Sequence, residues 1–165
     1  MSAAPNARVK QQDRKESSSE ESSGRFSAEE RAAMKDRAAE LKAESSRASA
    51  QEKAAADEAA VRAKIAEMPQ PDRAMAERLH TIVTDAAPQL LPKLYYGQPG
   101  WASAGKVIVF FRSGLMDKAR YSTLGFSVQA KLDEKGGLWP TSFALEQITD
   151  DSAKTIAKLV RKALR

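Results

Sequence analysis

The run Lys106-Val107-Ile108-Val109-Phe110-Phe111-Arg112, KVIVFFR, decides how the chain folds. Its interior is β-branched and then aromatic and stands between two charges, a pattern that suits a strand covered on both faces or nearly so. Working outward, ARYSTLGFS at 119–127 and PTSFALE at 140–146 read as two further strands, and 94–96 as a short first one. The joins SGLMD and DEKGG are short and turn-rich, which predicts antiparallel neighbours rather than helical crossovers.

Two amphipathic helices flank these strands. Met75, Leu79, Ile82, Val83 and Ala86 recur along one face of a 3.6-residue period, and Pro88 and Pro92 stop the run. At the C-terminal end, Ala153, Ile156, Ala157, Val160 and Leu164 form a second stripe. Thr149 or Asp150 can cap that helix, Asp150 and Asp151 face its positive start, and Lys158, Arg161, Lys162 and Arg165 crowd its negative end. The order helix, strands, helix predicts an α+β domain over 68–165, a mainly antiparallel sheet with helices packed on one face.

Upstream, the composition changes. Nine of the ten aromatics follow residue 94 and only Phe26 precedes it, so a core is expected in the C-terminal portion. Residues 1–26, with ESSSEESSG, have too little apolar surface to offset ordering entropy and read as a disordered tail. Ser27 and Glu30 form a capping-box signature for a helical extension over 27–67. The spacing predicts two helical stretches there, 28–43 and 50–67, separated by SSRAS. A solvated arm, a partner-binding or self-associating helix, or mere disorder fits this extension.

Charge and composition narrow the function classes. The chain has no cysteine, which excludes disulfides, zinc-thiolate sites and thiol nucleophiles. No apolar signal segment or span is visible, so no membrane partner and a cytoplasmic location are expected. His80 is the single histidine and reads as structural or surface. There is no phosphate loop, nucleophile elbow or HExxH run, and Ser103 with Lys106 is too common a pairing to mark a catalytic site; a non-enzymatic protein is expected. Asp72, Glu77 and Asp85, Asp133-Glu134 and Asp150-Asp151 are the carboxylates open to a hard cation, but they do not converge by sequence. The net charge of +5 is a mild excess, and although Arg112, Lys118, Arg120 and Tyr121 interleave basic and aromatic groups, nucleic acid is not an expected partner.

The stretch YYGQPGW at 95–101 invites two readings. Gly97 and Gly100 permit special backbone angles and Pro99 fixes its own φ, as a tight corner needs. Tyr96, Trp101, Tyr121 and Trp139, apolar bodies with polar tips, can also line a pocket for a small molecule or peptide, and both readings can hold at once.

In KLYYGQPGWASAGKVIVFF, with YSTLGF at 121–126, LWPTSFAL at 138–145 and a basic terminal helix, the chain resembles the YdhG-like domain-of-unknown-function family, marked by a YG-x-P turn before a Gly-Lys entry into an apolar strand. FSAEERAAMKDRAAELKAE looks like the N-terminal extension of one branch. The resemblance implies a small α+β domain and, since some members are described as frataxin-like intracellular iron chaperones, iron as a cargo or cofactor. It makes Tyr96, Gly97 and Pro99 motif positions and assigns them no role.

Overall fold

A computed structural model of the chain describes residues 26–165. The elements run α1 (Ala28–Glu67), α2 (Asp72–Ala86), β1 (Leu91–Tyr95), β2 (Gln98–Ser103), β3 (Lys106–Arg112), β4 (Ser122–Phe126), β5 (Ser142–Leu145) and α3 (Asp150–Ala163). Every neighbouring strand pair is antiparallel, and the sheet order is the sequence order β1-β2-β3-β4-β5. This is the anticipated α+β architecture. The tail over 1–26 lies outside the described residues apart from Phe26.

Packing follows from the two kinds of periodicity. On the sheet, Trp101 pairs with Val109, Val109 with Phe126 and Phe111 with Leu124, so these side chains share one face. Met75, Leu79 and Val83 of α2 and Ile156 and Val160 of α3 close the same core. Burial of a side chain such as Leu79, 0% exposed, is worth roughly 1.5–3 kcal/mol. A bulge between β2 and β3 moves the pairing from Trp101↔Val109 to Ala102↔Val107. Ile108 and Val109 therefore both join the core, whereas Val107 is buried outside it. That irregularity is why KVIVFFR has no clean alternation.

The two helices are also tied to each other. Thr149 caps α3: its Oγ1 accepts from the Ser152 N–H at 3.1 Å and its own N–H donates to Ser152 Oγ at 2.8 Å. Arg78 of α2 reaches that same corner, donating to the Ile148 carbonyl and, at 2.6 Å, to the Asp150 carboxylate.

Several boundaries differ from the sequence expectation. SSRAS does not interrupt the first helix, because serine costs only tenths of a kcal/mol in a helix interior and alanines surround it. Two compact units divide within α1, after Ser45. In the second unit the helix supplies Val61 and Ile65 to the core, so that unit begins well before residue 68. In the first unit, residues 28–45 are exposed throughout, and the Ser27–Glu30 capping box forms as expected. β1 starts earlier than 94, the strands expected at 119–127 and 140–146 are shorter, and β2 is an additional strand.

Candidate functional site

The YYGQPGW stretch is a β-hairpin. Tyr95 pairs with Gln98, and the two residues between them, Tyr96 (φ 48°) and Gly97 (φ 75°), are both left-handed, as a type I′ turn demands. The next join repeats the device with Ala104 (φ 49°) and Gly105 (φ 78°) between Ser103 and Lys106. The tight corner read from the stretch is present in the backbone.

The pocket anticipated from Tyr96, Gly97, Pro99, Trp101, Tyr121 and Trp139 is not assembled. Trp101 is 0% exposed and Pro99 is fully buried, so neither has surface to offer a ligand. Tyr96 is 91% exposed at the turn tip, where its ring meets Tyr95 edge-on at 4.6 Å. Trp139 is half-buried and packs against the core. The physical reason is burial: an indole on the inward face of a central strand is worth more in the core than in a cleft.

Trp101 instead locks β2 to α2. Its Nε1–H donates to His80 Nδ1 at 3.2 Å, a bond that requires the neutral imidazole with its proton on Nε2. Desolvation by burial lowers the His80 pKa, Arg62 lowers it further, and Glu58 opposes them.

Tyr121 alone among the six lines an open groove, and the loop between β3 and β4 builds it. Ser113 is fully buried; its Oγ donates to Asp72 Oδ2 at 2.5 Å and accepts from the Met116 N–H at 3.1 Å. The same Asp72 oxygen accepts from the Leu115 N–H at 3.0 Å. Asp72 is 3% exposed, has no cationic side chain bound to it among the described residues, and sits in the first turn of α2, where the helix dipole favours negative charge. From the other side, Ser122 Oγ accepts from the Gly114 N–H at 2.9 Å. Gly114 is required by proximity, since a Cβ there would stand 2.4 Å from the Tyr121 carbonyl oxygen. The loop is thus pinned from both α2 and β4.

Two hollows flank this loop. One of about 220 Å³ lies beside the start of α2 and is lined by Asp72, Met75, Leu115 and Leu145. The larger, about 680 Å³, is lined by Phe110, Arg112, Thr123 and Ser142. Arg120 and Tyr121 border both. The Arg120 guanidinium carbon stands 5.0 Å from the Tyr121 ring centre, a cation–π distance. Arg112 donates from Nε and Nη2 to Asp117 Oδ2 at 3.2 and 3.0 Å.

Sequence reasoning identified Arg112, Arg120 and Tyr121 as interleaved basic and aromatic residues but not Ser113 or Gly114. The signal for them is SGLMD, a serine-glycine pair immediately after an apolar strand, whose pattern by itself predicts only a turn.

The carboxylates weighed for a hard cation are held apart. Asp72 serves the loop, Glu134 pairs with Lys162, and Asp150 pairs with Arg78. Among the described residues no three histidine, aspartate or glutamate side chains converge as a metal site requires. No helix among them is long and apolar enough to cross a membrane. No family model, curated protein or solved structure matches the chain.

Proposed function

We propose that the chain is a cytoplasmic, non-enzymatic binding module of YdhG-like type that takes a small ligand in the groove beside the β3–β4 loop. The observation that carries this reading is the pinned loop. Asp72, Ser113, Gly114 and Ser122 fix the backbone by tertiary hydrogen bonds and close approach, and Arg120 and Tyr121 stand on it at the surface. Rigid support under exposed cationic and aromatic side chains lowers the ordering cost of binding. A volume of about 680 Å³ also falls within the usual range for small-molecule sites, roughly 300–1,000 Å³.

A thermal-shift screen of a small-molecule library on the full chain tests the reading. Hits should raise the melting temperature of the wild type and leave Ser142→Trp, whose indole fills the groove, unmoved. Hits that stabilise both proteins equally would place the ligand elsewhere.

A second reading comes from the YdhG-like motif series: an iron-chaperone role. The order helix, antiparallel strands, helix agrees with the domain that the resemblance implies. Anaerobic titration of ferrous iron, followed by amide NMR with a magnesium control, distinguishes the two. Saturable, iron-specific broadening near Asp72, Glu77 and Asp85 or near Asp133-Glu134 favours cargo iron; its absence leaves the groove. The protein-partner reading of the helical extension applies to the part of α1 ahead of Val61, because Val61 and Ile65 are core residues.

A further inference from the structure

Resting on the binding reading above, we propose that the groove recognises an organic anion, a phosphate or carboxylate carried on a small ring or short apolar body. The charged side chains lining it are Arg112, Arg120 and Asp117, two cations against one anion. Asp117 engages Arg112 through Nε and Nη2 and thereby fixes the direction of that guanidinium, while Arg112 Nη1 has no acceptor among the described residues. Arg120 has no carboxylate partner among the described residues; the Tyr121 ring supports it. An oriented and a stacked guanidinium bordering one groove form a receptor for oxyanions, which accept charge-assisted hydrogen bonds from a planar fork of donors.

The remaining lining suits the rest of such a ligand. Thr123 and Ser142 provide hydroxyls. Phe110 provides a half-buried ring held flat on the sheet: a Cβ on Gly125 would lie 2.2 Å from it, and Tyr95 packs beside it with ring centres 4.9 Å apart. A small ring can lie against Phe110 while its anionic group reaches the arginines. Nucleic acid is a poorer fit, because its affinity comes from a series of cations that each neutralise a phosphate, and this groove offers two.

The test uses the isotope-labelled full chain and three probes: phenyl phosphate, inorganic phosphate and benzyl alcohol. Phenyl phosphate should shift the Gly114, Tyr121, Thr123 and Ser142 amides saturably, bind at least about tenfold more tightly than benzyl alcohol, and weaken as sodium chloride is added. Arg120→Gln should cost about tenfold or more in phenyl phosphate affinity and leave benzyl alcohol binding unchanged, with Arg120→Lys recovering part of the loss. A far-ultraviolet spectrum and melting temperature matching the wild type exclude misfolding of this exposed-site variant. If benzyl alcohol binds as well as phenyl phosphate, or Arg120→Gln is indifferent, the anion inference falls and the binding reading stands. Silence of these amides towards all three probes overturns both. Tighter groove binding by an oligothymidylate than by phenyl phosphate overturns the small-ligand assignment.

Discussion

Replacing Gly114 with alanine probes the loop on which the functional reading rests. Gly114 does not have a positive φ, so the substitution introduces no left-handed strain and its effect is purely one of space. The added Cβ would meet the Tyr121 carbonyl oxygen at 2.4 Å, the Tyr121 carbonyl carbon at 2.5 Å and the Ser122 nitrogen at 2.8 Å. All three are backbone atoms at the entry to β4 and cannot swing aside as a side-chain tip would. Overpacking of this kind costs roughly 1–3 kcal/mol. Displacing the loop also strains the Gly114 N–H to Ser122 Oγ bond, worth about 1 kcal/mol. The sum, about 2–4 kcal/mol, corresponds to a fall in melting temperature of roughly 8–16 °C for a unit of this size. Thermal unfolding followed by circular dichroism reads this directly. Gly136→Ala is the control, since a Cβ there meets nothing within 4 Å; it should change stability by less than about 0.5 kcal/mol. A Gly114→Ala protein that melts with the wild type would refute the reasoning that Tyr121 is held by this contact.

Other perturbations bear on separate parts of the account. Asp72→Ala removes the acceptor shared by Ser113 and Leu115 and should lower the urea-derived unfolding free energy by about 2–4 kcal/mol; a change under about 1 kcal/mol would mean the loop does not depend on it. Gly97→Val forces a β-branched residue into a left-handed turn position and should destabilise by about 1–3 kcal/mol in the same assay, although the space around Gly97 is open. His80 supplies a pH dependence. Its folded pKa is lowered from the ordinary 6.5, so the unfolded chain binds the proton more readily. Its stabilising contribution is full above 6.5, falls as the pH drops through 6.5 towards the lowered value, and levels below that. His80→Gln, which keeps an acceptor for Trp101, should flatten that slope in melting temperatures measured across the window.

How much of this was legible in the sequence depended on how local the cause was. KVIVFFR, the α2 stripe and the Thr149 cap are set by neighbours within a few residues, and each appears where the pattern put it. β2 was not legible. QPGWAS contains a proline and a glycine, both poor strand formers, and it becomes a central strand because two tight turns fold it between β1 and β3. Those turns use Tyr-Gly and Ala-Gly in place of the Asn-Gly pair that signals such hairpins. Trp101 showed the limit of residue type as a guide, since amphipathic chemistry suits a pocket and a core seam alike, and the bond to His80 settles it. The groove depends on Asp72 meeting Ser113, residues 41 apart in the chain, and no local pattern announces that contact.

The most direct test of the central claim is an amide NMR map of the full chain against a fragment library, comparing residues 112–123 and 142 with the 95–101 hairpin. The account predicts saturable shifts confined to the first set. Shifts concentrated on the hairpin, with the β3–β4 loop silent, would contradict it and return the functional site to YYGQPGW.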